Sequence, residues 1–273
     1  MPRYSWFDSV PLWAVFAGVL AGILLCVELG HRVGRWRHGR AEREKEAPVG
    51  GMVAAELGLL AFLLAISFSL AAARFETRRG VLLDESNSIG TTYLRAAMLP
   101  EPHRTEVRRL LREYVDVRLA GARGDAIEAA VRRSEELHGQ LWTHATAAAE
   151  KDPRSIPTGL FVESLNETID LHATRLQAAL RSRLPSIVWA VLFAVAALSF
   201  AMMGYHAGLI GTSRTPATLV LAMAFAIVIW LVVDLERPLK GMLRVSQQPM
   251  VDLRNSMAAP EPASRPSGPG TQK

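Results

Sequence analysis

Residues 49–73 read VGGMVAAELGLLAFLLAISFSLAAA, and residues 74–81 directly after them read RFETRRGV. The first stretch is long enough to cross a bilayer core, which takes about 20 apolar residues in a helix. Its single ionisable residue is Glu56. The second stretch sets Arg74, Arg78 and Arg79 where the apolar run stops. Cationic side chains at that position suit a helix leaving a membrane among anionic headgroups.

Three more runs have the same character, at about 11–29, 187–210 and 217–233. The expected fold is therefore all-α, a four-helix transmembrane protein built as two membrane hairpins. The first hairpin occupies 1–73 and the second 185–235. Residues 74–184 form a helical extramembrane bundle inserted between spans two and three. A basic stretch follows span one where a small-residue cleavage site would stand in a secretion signal, so span one is read as retained. Tyr4, Trp6, Trp13 and Trp36 frame it as interfacial aromatics do. Residues 31–48 are read as a short basic loop.

Within the spans, small side chains recur every four residues. One stripe is Ala14, Gly18, Gly22, Cys26 and Gly30, and another is Ala61, Ala65, Ser69 and Ala73. In lipid such stripes let helix backbones approach closely, and they point to a homo-oligomer. Gly204, Gly208 and Gly211 are read as loosening the far end of span three.

The 74–184 segment is polar on average but keeps a helical period. A helix continuing span two to Leu99 carries Leu82, Ile89, Tyr93 and Ala96 on one face. Pro100 and Pro102 end it. A helix over 103–120 turns Val107, Leu110, Leu111, Tyr114 and Val115 inward. A third, capped by Asp125, runs to about Glu150 with Ile127, Val131, Leu137, Leu141 and Trp142 on its apolar side. A fourth spans Thr158 to Leu184, with Leu165, Ile169, His172, Leu176 and Leu180 in period. After span four, 236–254 reads as a basic interfacial segment, and 255–273, rich in Pro, Ser, Gly and Ala, as a disordered tail.

The net charge is +5 and the pI about 9.8. The positive residues flank the apolar runs, so the lipid bilayer is the expected partner and nucleic acid is not. The charge rule splits on orientation. The loop after span one holds six Lys or Arg, whereas Arg175, Arg181, Arg183, Arg237, Lys240 and Arg244 crowd the opposite side around spans three and four. Cys26 is the single cysteine, which excludes an intrachain disulfide and cysteine-built metal clusters.

Three groups of residues are candidates for a pore or gate. Glu56 carries a carboxylate into the membrane, where ionisable groups face a bundle interior or a hydrated cavity. Arg74, Arg78 and Arg79, repeated around an oligomer, would form a positive ring able to select an inorganic anion. Asp84, Asn87, Ser88, Thr91 and Arg95 make a polar stripe suited to lining a hydrated vestibule. Glu135 and His138 form one E-x-x-H where a di-metal carboxylate site needs two, and the other histidines lack ligand spacing. No metal, no cofactor and no catalytic residue is expected. Without a phosphate loop, dinucleotide fingerprint or nucleophile elbow, the chain is not read as an enzyme.

Longer phrases carry a family likeness. After span two stands RFETRRGVLLDESNSIGTTYLRAAMLPEPHR (74–104), then LLREYVDVRL (110–119). LNETIDLHATRL (165–176) precedes span three, and DLERPLKGMLRVSQQP (234–249) closes span four. Across most of 50–253 the chain resembles the bacterial bestrophin-like membrane proteins, a family of unknown function. The resemblance implies kinship with bestrophins, pentameric anion channels with four membrane helices per subunit, and a multi-pass place in a bacterial inner membrane. The two readings of function are an oligomeric anion channel and a non-conducting membrane scaffold or sensor acting through its helical domain.

Overall fold

The computed structural model describes residues 10–38, 46–123, 127–181, 184–212, 216–237 and 241–259. Among them the secondary structure is helical with no strand. The helices are α1 (Leu12–His38), α2 (Glu46–Ala96), α3 (His103–Gly121), α4 (Ile127–Lys151), α5 (Ile156–Leu176), α6 (Ser186–Leu209), α7 (Pro216–Leu235) and α8 (Gln248–Ala258). A π-turn, Gln177–Arg181, follows α5. Four of the helices, α1, α2, α6 and α7, are long and apolar enough to cross a membrane, as the apolar runs required. The chain divides into a membrane unit, Met1–Val81 with Thr174–Val245, and a helical unit, Leu82–Ala173 with Ser246–Lys273.

In the membrane unit α1 packs chiefly along α6 and also meets α7. A side chain added at Gly30 would overlap the Ala201 carbonyl, and one at Gly204 would overlap the Val27 carbonyl. Backbones come this close because lipid supplies no hydrophobic drive between helices, so dispersion at short range must hold them. The far half of α6 is therefore tightened by its glycines, contrary to the loosening expected of Gly204 and Gly208. Gly211, at φ 67°, ends the helix in a left-handed turn that lets the Thr212 N–H reach the Ala207 carbonyl at 3.2 Å. Around this crossing Ile23, Leu60, Leu64, Leu192, Phe200 and Ile229 form the interior.

Residues 31–38, expected in a loop, continue α1. Arg32 pairs with Glu28 one turn back at 2.8 Å, and the His38 Nδ1–H donates to the Leu209 carbonyl at 2.6 Å. These contacts hold the helix past the end of its apolar run.

The helical unit has an ordinary close-packed core. It draws on Ile89 and Tyr93 of α2, Leu110, Leu111 and Tyr114 of α3, Leu137 and Leu141 of α4, and Phe161 and Leu165 of α5. Each large apolar side chain buried this way stabilises by about 1.5–3 kcal/mol. Trp142, expected inward, is 39% exposed. Asp125, expected as a cap, lies outside the described residues.

The largest departure from the sequence reading is α8. Residues 248–258 were expected partly as an interfacial segment and partly as disordered tail. They form a helix with Pro249 in its first turn, and Met250 and Met257, two turns apart on one face, enter the core. The otherwise orphaned Met257 carbonyl at the helix end accepts Tyr93 Oη–H at 3.2 Å and Arg112 Nε–H at 3.1 Å. The Ser86 hydroxyl donates to the Pro249 carbonyl at 3.0 Å. Two methionines within a basic, Gln- and Pro-bearing stretch are too sparse a signal to mark a core helix in sequence alone.

Candidate functional site

Helix α2 carries nearly all the residues singled out from the sequence. In the membrane unit its inward face is Val53, Leu60, Leu64, Ser67, Ala71 and Arg78, all buried. Its opposite face is exposed, including the small stripe Ala61, Ala65, Ser69 and Ala73. Gly58 also has open space around it. Ser69 is the sole polar residue among the exposed positions of 49–73. Glu56 is half-buried beside this face, and its backbone carbonyl accepts the Ser199 hydroxyl at 3.4 Å.

The three arginines part company. Arg78 is buried and donates to the Leu235 carbonyl. Arg74 lies 3.8 Å from Glu236. Arg79 is exposed and pairs loosely with Glu76 at 3.5 Å. Arg74 and Arg78 do share a helix face, and that face turns toward residues 235–236 of the chain.

The partner of that face is the Asp-Leu-Glu-Arg segment at the end of α7. Asp234, nearly fully buried, accepts the Met242 N–H at 2.7 Å on one carboxylate oxygen and the Leu243 N–H at 3.0 Å on the other. Glu236 accepts the Leu184 N–H at 2.8 Å. Arg237 donates to the Val10 carbonyl at 2.7 Å. These charges satisfy backbone groups in the connections between helices, which no helix ladder reaches, with the added strength of an ionised partner. The segment is a latch, with a structural role.

In the helical unit the expected polar stripe splits by helical angle. Asp84, Asn87 and Thr91 are exposed. Ser88 is buried, 2.9 Å from the Thr168 hydroxyl, which in turn meets Thr92 at 3.0 Å. Arg95 donates to the Leu160 carbonyl at 2.7 Å and lies 3.5 Å from Glu163. Ser88 and Arg95 thus tie α2 to α5, and only the other three stay open to solvent.

A buried polar cluster lies behind them. Glu85 and Arg118 form a salt bridge at 2.9 Å. The Tyr114 hydroxyl donates to Glu85 at 3.0 Å and stands 3.2 Å from His172 Nδ1, so the imidazole N–H donates to the phenol oxygen. The His138 ring crosses the His172 ring edge-on with centroids 4.9 Å apart. All five residues are buried. Burial, and next the Arg118 charge, push His138 down to about 4 against the opposing pull of Glu85, so this imidazole is neutral near pH 7. Each member sits in the apolar stripe of its own helix: Glu85 with Leu82 and Ile89, Arg118 with Leu111 and Val115, His138 with Leu141, His172 with Leu165 and Ile169. A charge standing in an apolar stripe was the signal available in the sequence, and its partners, from other helices, were not.

Among the described residues no three His, Cys, Asp or Glu side chains converge to hold a metal ion. His103 and His144 do meet, with Nδ1 atoms 3.2 Å apart. Burial, the facing His144 and Lys151 lower the pKa of His103 from its ordinary value.

A comparison with curated proteins found no match. Among solved structures, the chain is similar to two single-residue variants of a bacterial bestrophin homologue from Klebsiella pneumoniae. One has a TM-score of 0.62 at 15% identity, covering 88% of this chain and 96% of that one. The other has 0.61 at 14% identity, covering 88% and 97%. A third structure, described as a variant of a membrane protein, has a TM-score of 0.62 at 13% identity, covering 86% and 95%. At these identities the likeness establishes the fold. The bestrophin-like domain model matches residues 19–250, and on that match this membrane protein belongs to the bestrophin-like family.

Proposed function

We propose that the chain is one subunit of a homo-oligomeric anion channel in a bacterial inner membrane, with the exposed face of α2 lining the conduction path. The observation that carries this reading is the small-residue face of α2, exposed among the described residues. Gly58, Ala61, Ala65, Ser69 and Ala73 are exposed, and among the described residues nothing lies within contact distance of a Cβ at Gly58, while Gly30 and Gly34 of α1 and Gly204 and Gly208 of α6 are packed against backbone. A face so narrow suits close repetition around an axis. Glu56 beside it serves as the gate residue, and Arg79, Asp84, Asn87 and Thr91 are exposed polar residues available to passing ions.

One observation favours the scaffold reading instead. The exposed face of 49–73 has Ser69 as its only polar side chain, a dry surface able to close a helix interface as well as to line a hydrophobic constriction. Chloride flux through the purified protein in liposomes separates the two. In a Cys26→Ala background, single cysteines at Ala65 or Ser69 should make flux sensitive to a thiol reagent, and one at buried Ala71 should not. Well-folded oligomers without flux would refute the channel and favour the scaffold.

A further inference from the structure

His103 opens α3 and His144 lies near the end of α4. Their Nδ1 atoms are 3.2 Å apart, and the rings stand edge-on at 69° with centroids 5.5 Å apart. Both residues are half-buried, and neither belongs to the Glu85 cluster. As a neutral pair they share one N–H···N hydrogen bond. The same separation is the one two imidazoles adopt around a single metal ion. With metal–nitrogen bonds of about 2.0–2.1 Å at a near-tetrahedral angle, the ligand nitrogens stand roughly 3.3 Å apart.

We propose that His103 and His144 form a two-histidine site for a late first-row divalent ion, Zn2+ or Cu2+, with water completing the coordination. Binding requires each ring to turn so that both Nδ1 lone pairs aim at one ion, while the helices that carry the rings stay packed. Val107 and Leu110 seat α3, and Leu141, Ala145 and Ala148 seat α4, all in one core. That preorganisation removes much of the ordering cost. Imidazole selects Cu2+ and Zn2+ over the oxygen-seeking Mg2+ and Ca2+. Lys151, whose positive charge reaches His103, opposes a cation and keeps the site weak. A bound ion would tie the start of α3 to the end of α4.

The test uses the full-length, tag-free protein in detergent, stripped of metal. Titration calorimetry with Zn2+ should show one equivalent bound, with no heat from Mg2+ or Ca2+. His103→Gln and His144→Gln should each raise the dissociation constant at least about tenfold, with thermal unfolding in EDTA unchanged. Lys151→Gln should tighten binding at low salt. The wild-type chain supplies an independent measurement. Zn2+ should protect His103 and His144 from diethyl pyrocarbonate while half-buried His31 and His206 stay reactive. Affinity unchanged in both glutamine variants, or no selective protection of the pair, would overturn the site.

Discussion

In the membrane unit the closest helix contacts run through glycine, and apart from Glu56 within span two the charges described above stand near the helix ends, where Asp234, Glu236 and Arg237 hold backbone groups. In the helical unit the contacts run through Leu, Tyr and Phe, and an ion pair with two imidazoles sits in the middle. The difference follows from the solvent. Water drives large apolar side chains together and leaves a margin that can absorb buried charge. Lipid does not, so helices there gain from close backbone approach and carry polar groups where water or headgroups begin. Helix α2 supplies residues to both kinds of core: Leu60 and Leu64 in the first, Ile89 and Tyr93 in the second.

The sharpest way to break this contrast is to give the membrane unit a large side chain. Gly204→Leu drives atoms into the Val27 backbone and should abolish a monodisperse peak in size-exclusion chromatography, a cost above about 3 kcal/mol. Gly58→Leu, in open space, should leave the protomer folded. Equal behaviour of the two would mean that the α1–α6 crossing is not held by glycine.

Breaking the buried pair of the helical unit comes next. Glu85→Leu strands Arg118 and should cost about 3–5 kcal/mol in thermal or denaturant unfolding. Adding Arg118→Met should recover most of that loss. A double variant as unstable as the single would show that the charges contribute more than their own burial cost.

Acid sharpens the same point. His138 is neutral when buried, held at about 4, whereas the unfolded chain titrates near 6.5. Between those values the unfolded state binds the extra proton, so stability is complete above about pH 6.5 and falls as pH drops toward 4. The full loss is about 3 kcal/mol. Comparison of unfolding against pH with His138→Phe isolates this contribution, and the variant should show a shallower slope over the same window.

The smallest expected effects separate two adjacent arginines. Arg78→Ala leaves the Leu235 carbonyl buried without this donor and should cost about 1–3 kcal/mol. Arg79→Ala, at an exposed surface pair, should change stability by less than about 0.5 kcal/mol. If anion selectivity in the flux assay follows Arg79 and not Arg78, the exposed arginine is the one that meets ions.

Span number and helix type were legible because each depends on local apolar length and on the 3.6-residue period. The inward face of α3, from Val107 to Val115, was legible for the same reason and is buried as expected. What the chain brings together across many residues was not. Arg78 and Leu235, His103 and His144, Glu85 with Arg118 and Tyr114, and Met257 against Tyr93 are pairings of separate helices. Periodicity tells which face of a helix is apolar but not which helix covers it. That is why periodicity alone does not separate Arg74 and Arg78, which face residues 235–236, from exposed Arg79, and why the residues of α8 read as part interfacial segment and part tail. By itself the sequence determined four membrane-crossing helices, an all-α fold and the family likeness. Only the tertiary structure decided which polar groups are spent on holding the fold and which stay open, because burial depends on the neighbours that packing supplies.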